Sequence, residues 1–184
     1  MPNKDEWTVL ATDYAHEHGL TGLTLRPLAA ALGTSDRMLL YHFGTKDELL
    51  AAILRESNDR GVAVVDALPP SADLRTAVLD LWAAVQHPAM EPCVRLYVEA
   101  SALGLFGREP YASVLREANR VWMRSLAGFL TRSGVETRLA TRAARVVDAA
   151  FMGFQLDLPL YGGSRSSVKR SVADLADAVA ALAG

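Results

Sequence analysis

An all-α fold is what this sequence predicts, and three observations predict it. Ala, Leu and Val recur throughout while aromatic residues make up only 7% of the chain, a balance that favours helix over strand. Apolar residues return at three- and four-residue spacing in one segment after another, the period of a helix with one buried face. Pro and Gly fall between those segments, where helices start and stop. Together the segments number about nine helices. The chain, at 184 residues, is long enough for a small module fused to a larger one.

The first helix is carried by Trp7, Leu10, Ala11, Tyr14 and Ala15 and stops near Gly19. Thr24 stands where an N-cap belongs, Pro27 falls in a first turn, and Leu25, Leu28, Ala29 and Leu32 form the next stripe. Gly33 ends it. Ser35 can cap a third, short helix with Asp36 at its positive end and Leu39 and Phe43 facing inward. After Gly44, Thr45 and Glu48 make a T-x-x-E capping box that opens a fourth helix, with Leu49, Leu50, Ile53 and Leu54 on its buried side. That helix is expected to run from Lys46 to about Leu68, with Gly61 as its weak point.

The remaining segments are longer. Ser71 is placed to cap a helix that ends before Pro88, and the next segment allows Arg95 and Glu99 to pair at i, i+4. A helix from Tyr111 to about Arg132 carries Val114, Ala118, Val121, Trp122 and Phe129, and Gly134 ends it. Two more follow, from Thr137 to Leu158 and from Ser166 to Leu182.

Composition excludes several functions. No apolar run reaches the roughly 18 to 20 residues of a membrane span, and the N-terminus lacks the layout of a signal peptide, so a soluble, cytoplasmic protein is expected. Cys93 stands alone, and the four His are scattered without metal-ligand spacing, so neither a metal nor a cofactor is implied. Cys93 with His87, or His16 with Asp13, are pairs from which a reactive centre could be imagined. Neither has a third orienting group at readable spacing or an oxyanion-hole turn, so no enzyme is expected. The net charge of −2 gives no electrostatic pointer to nucleic acid, and the first 58 residues hold five Lys/Arg against eight Asp/Glu.

Two short helices joined by a tight Gly turn, the second capped and polar on its outside, have the layout of a helix-turn-helix. The order Thr24-Leu25-Arg26-x-Leu28-Ala29-x-x-Leu32-Gly33-Thr34-Ser35-x-x-x-Leu39-x-x-His42-Phe43-x-x-Lys46-x-x-Leu49 resembles the DNA-binding domain of TetR-family transcriptional repressors, over about residues 7 to 54. The resemblance implies a helix-turn-helix DNA-binding domain in residues 1–50 and a helical effector-binding and dimerisation domain in residues 51–184. It places Ser35 to Phe43 in the major groove with Asp36, Arg37 and Met38 nearest the bases. Thr24, Arg26, Ser35, Tyr41 and His42 would contact bases or phosphates, and Lys46 would meet a phosphate at the start of the fourth helix. Where the family commonly has Leu-Tyr, this chain has Leu39-Leu40, so a usual phosphate-binding hydroxyl is missing, and either Tyr41 compensates or affinity for the DNA backbone is lower.

The same resemblance implies a homodimer on palindromic operator DNA, with a small effector. Val147, Phe154, Val172, Leu175 and Val179 are candidates for the dimer seam, although such stripes serve a monomer's own core equally well. Trp82, Met90, Cys93, Tyr97, Trp122, Met123, Phe151 and Met152, with Phe106 beside them, are the materials of an apolar pocket, and Gln155, His87, Arg95 and Glu99 are polar groups that could orient a ligand. Core packing accounts for the apolar ones as well. The function expected is a repressor released by a mainly apolar effector. The alternative is a helical dimer that has lost DNA binding and serves as a small-ligand or protein-binding module.

Overall fold

In the computed structural model, which describes residues 2–160 and 165–183, the first helix α1 (Lys4–His18) begins at a capping box. Glu6 N–H donates to Asn3 Oδ1 at 2.9 Å while Asn3 N–H donates to the Glu6 carboxylate at 2.7 Å, so two otherwise unpaired donors are satisfied. Gly19, at φ +78°, closes the helix. The buried arc passes through Trp7, Ala11, Thr12 and Ala15, which leaves Leu10 40% exposed rather than inside as expected. A threonine tolerates this burial because its hydroxyl donates to the Thr8 carbonyl at 2.8 Å.

The helices that follow are α2 (Leu25–Ala31), α3 (Asp36–Phe43), α4 (Lys46–Asp66), α5 (Leu74–Val85), α6 (Glu91–Leu105), α7 (Tyr111–Arg132), α8 (Thr137–Leu160) and α9 (Arg165–Ala180), with a short 3₁₀ turn at Ala181–Ala183. No strand occurs among the described residues. Three sequence expectations change. Thr24 makes no side-chain cap on α2. Asp73, not Ser71, caps α5 by accepting from Thr76 N–H at 2.7 Å, while the Ser71 hydroxyl donates to Asp80. Gly61 is no weak point of α4: it is buried, and a Cβ there would stand 3.3 Å from Met90 Sδ, so the glycine lets α4 approach the start of α6.

The chain packs as two units, and the division falls within α4 and α7. The first comprises Met1–Ala63 and Pro88–Val121. Its core joins Leu28, Leu39, Phe43, Leu49 and Ile53 from the N-terminal helices to Leu96 and Ala100 of α6 and Tyr111 and Val114 of α7. The second comprises Val64–His87 and Trp122–Gly184. There α9 packs on α5 and α8, and the buried residues include Leu81, Phe129, Leu130, Val147, Val172 and Val179. The alanines Ala140, Ala143 and Ala144 are fully buried on α8 and keep its inner face low enough for close helix contact. Arg75 on α5 bridges to Asp177 on α9 at 2.5 Å, an exposed pair of small weight beside that core.

Candidate nucleic-acid interface

The reading element is built by its turn. Thr34 N–H donates to the Ala29 carbonyl at 2.9 Å and Gly33 N–H to that of Ala30 at 3.2 Å, the paired bonds of a Schellman ending. Gly33 sits at φ +67°, where a side chain would be strained. The chain thereby leaves α2 and enters α3 within four residues. Ser35 Oγ accepts from Met38 N–H at 3.3 Å, capping α3 as its sequence foretells.

Burial then fixes the angle of α3. Leu39 and Phe43 are held in the first unit's core with Leu28 and Ala29, so the opposite face must point outward. That face presents Asp36, Arg37, Leu40 and Tyr41, with Tyr41 78% exposed. Arg26 is exposed on α2 and Thr24 just before it, Ser35 is spent on the cap, and Met38 is half-buried. His42 is turned inward: its ring lies 6.3 Å from that of Trp7 and meets Tyr41 edge-on at 5.3 Å. Its Nε2, like Trp7 Nε1, is buried without a hydrogen-bond partner. Lys46 begins α4 beside the capping box expected there, in which Thr45 N–H donates to Glu48 at 3.0 Å and Glu48 N–H to Thr45 Oγ1 at 3.1 Å.

Half of the eight acids in this segment are engaged by partners or caps. Asp13 and Glu56 both pair with Arg60, at 2.6 and 2.8 Å, while Glu6 and Glu48 are occupied in capping boxes. Asp36 alone stands on the outward face of α3 with Arg37.

A second set of contacts was invisible in the sequence. Glu99 on α6 accepts from Leu20 N–H at 2.8 Å and from Thr21 N–H, the two donors that follow the end of α1. Arg95 donates to the His16 carbonyl, so the expected Arg95–Glu99 pair does not form. Both side chains serve α1 instead. The positive φ of Gly19 favours glycine, and a Cβ there would stand 2.9 Å from Glu99 Oε2 and push that carboxylate aside. His16 Nε2 bonds Ser57 Oγ at 2.8 Å and not Asp13, and its pKa is lowered by burial, then by Arg60. Burial likewise pushes the Cys93 thiol up, away from the thiolate that a nucleophile needs.

The effector candidates divide between the units. Met90 and Cys93 are buried in the first, where Tyr97 is half-buried, while Phe106 is almost fully exposed and lines nothing. Trp82, Trp122, Met123, Phe151, Met152 and Gln155 fall in the second. There Trp82 meets Phe151 edge-on at 4.9 Å and Phe154 at 5.9 Å, and Trp122 Nε1 donates to Asp148 at 2.7 Å. Asp148 was missed, though a Trp N–H beneath an apolar helix face needs an acceptor and could have prompted the search. A concavity of about 590 Å³ lies elsewhere, on α1, α4 and the start of α7, and is lined by none of these residues. Of the seam candidates, Val147, Val172 and Val179 are buried inside the chain's own second unit, whereas Phe154 and Leu175 keep exposed surface. Among the described residues no group of three His, Cys, Asp or Glu side chains could hold a metal, and no helix is long and apolar enough to cross a membrane.

A capped, outward-facing α3 held by a Gly turn on α2 has the form of a helix-turn-helix. Residues 10–53 match the pattern of bacterial regulatory proteins of the tetR family. The whole fold agrees with that assignment. A protein from Rhodococcus sp. assigned to the TetR family of transcriptional regulators is 19% identical with a TM-score of 0.73, over 96% of this chain and 97% of that one. The multidrug binding protein EbrR, solved with imidazole, is 22% identical with a TM-score of 0.70, over 98% and 96% of the two chains. EbrR has also been solved with proflavin. Salmonella enterica GusR is 21% identical with a TM-score of 0.66, over 96% and 93%. No curated protein matches the sequence. The tetR-family likeness thus covers the helix-turn-helix segment, and the chain as a whole shares the fold of these solved structures.

Proposed function

We propose that the protein is a homodimeric repressor that leaves a palindromic operator when a mainly apolar, aromatic effector binds. The observation that carries this reading is the outward face of α3, where Arg37 and Tyr41 are exposed on a helix fixed from behind by Leu39 and Phe43. In this reading residues 1–50 read DNA and residues 51–184 serve effector and dimer. Arg37 reads base edges, Asp36 accepts from a cytosine amine, and Met38 packs beside them. Thr24, Arg26, Tyr41 and Lys46 hold phosphates. His42, with Nε2 buried, supports Tyr41 rather than reaching DNA itself.

One small reading head binds weakly, and a second copy supplies the other half-site. The seam we propose lies on the outward side of α8 and α9. Val146 (46% exposed) and Leu156 (39%) lie on one stripe with Ala149 and Gly153, and Leu182 (43%) extends a stripe that includes Leu175 and Ala178. Two such helices from each subunit make a four-helix interface. EbrR's complexes with the aromatic molecules imidazole and proflavin support an effector among Trp82, Trp122, Met123, Phe151, Met152 and Gln155.

The competing reading, a helical dimer without DNA affinity, rests on Leu40, 37% exposed where a hydroxyl is usual, and on Asp36. Filter binding on genomic fragments, followed by footprinting, decides between them. An inverted repeat protected at moderate salt is the outcome expected. Equal, weak retention of all fragments favours the competitor.

A further inference from the structure

Asp148 lies half-buried on α8 between buried Val147 and buried Phe151, and yet it is an acid. The bond that holds it comes from a neutral donor, Trp122 Nε1 at 2.7 Å. Among the described residues no Lys or Arg pairs with it, although Arg142 and Arg145 precede it on the exposed side of the same helix. Burial pushes its carboxyl above the ordinary range, and the Trp122 bond offsets only part of that. A half-buried carboxylate without a counter-ion works against folding. To receive one indole N–H, a neutral Asn would serve without that penalty.

The surroundings are flat and apolar. Phe151, Met152 and Gln155 follow Asp148 at i+3, i+4 and i+7, on one side of α8. Trp82 stands edge-on to Phe151 and Phe154, and Trp82, Trp122, Met152 and Phe154 all keep exposed surface that another flat group could cover.

We infer that Asp148 is the anionic anchor of an effector site in the second unit, and that this site takes a flat organic cation stacked among Trp82, Trp122 and Phe154. This rests on the effector reading above and adds the charge of the ligand to it. A delocalised organic cation satisfies both parts of the site, since it neutralises the carboxylate and is attracted to ring faces. A metal ion would need several oxygen ligands, and a single carboxylate supplies too few. A neutral aromatic would leave the carboxylate buried deeper and still unpaired.

The test compares N-methylacridinium, whose charge is fixed, with acridine, its neutral counterpart at about pH 8, by quenching of tryptophan fluorescence in the full-length protein. The wild type is expected to prefer the cation by about tenfold or more. Asp148→Asn, which can still accept from Trp122, should erase that preference while leaving acridine binding in place. Equal affinity for both probes in the wild type overturns the charged anchor and leaves the effector reading standing. Binding of neither probe overturns both. The wild-type comparison needs no variant, so it decides the matter even if Asp148→Asn is poorly folded.

Discussion

Arg37 and Lys46 both bring positive charge to the reading head, but they stand on different supports. Arg37 projects from the exposed face of α3, where the proposed function has it meet base edges, whereas Lys46 is the half-buried first residue of α4, proposed to meet a phosphate. Arg37→Ala should therefore relax sequence preference by roughly 1 to 3 kcal/mol of discrimination. Lys46→Ala should weaken every DNA sequence alike and reduce the slope of log affinity against log salt by about one. An unaltered slope for Lys46→Ala would remove it from the phosphate contacts. Asp148 yields a stability prediction of opposite character. Its folded pKa is raised, so its protonated form is the one the fold favours, and that advantage is complete below the ordinary carboxylate pKa and lost as pH rises through the folded value. Asp148→Asn should accordingly melt above the wild type near neutral pH, with the gap closing in acid. A variant less stable at neutral pH would mean that the carboxylate is structural. Single residues were legible in the sequence when their partners were near in the chain, as with Ser35 and Met38. Asp148 was not, because its meaning depends on an indole 26 positions away.

At the scale of elements, local chemistry was readable and tertiary choice was not. The bounds Tyr111–Arg132 of α7 follow directly from apolar spacing and Gly134, and the box at Thr45 and Glu48 forms as written. Arg95 and Glu99 have the right spacing to pair on α6, but a charged side chain gains more from otherwise unpaired backbone groups at a helix end than from an exposed ion pair. Which helix end lies beside α6 is decided by the burial of Leu96 and Ala100, and no local pattern states it. Those contacts tie α6 to the end of α1, hence to the turn that leads into α2. Glu99→Gln keeps one acceptor and sets an amide donor against the other N–H, so the tie should weaken by roughly 1 to 3 kcal/mol. Hydrogen exchange at the Leu20 and Thr21 amides should quicken while exchange in the second unit stays unchanged. Unchanged protection at both amides would show that apolar packing alone holds the turn.

For the whole molecule, the relevant surfaces are those that one chain leaves open. Val146 and Val179 look equivalent in the sequence, each on an Ala-rich stripe, but Val146 is half exposed and Val179 lies in the core of the second unit. Val146→Glu should give folded monomers in sedimentation with a nearly unchanged monomer melt. Val179→Glu buries an unpaired charge and should cost several kcal/mol, lowering the melt itself. Folded dimers from Val146→Glu would move the seam off α8. The remaining prediction joins effector to operator. A ligand releases DNA only through its different affinity for the free and the DNA-bound protein, so a hundredfold loss of operator affinity requires about 2.7 kcal/mol of coupling. Linkage makes that coupling reciprocal: saturating operator must weaken the effector by the same hundredfold. N-methylacridinium titrated against the protein with and without operator measures both sides of the cycle. Two equal binding curves would identify it as a passenger in the site and not as the inducer, however tightly it binds.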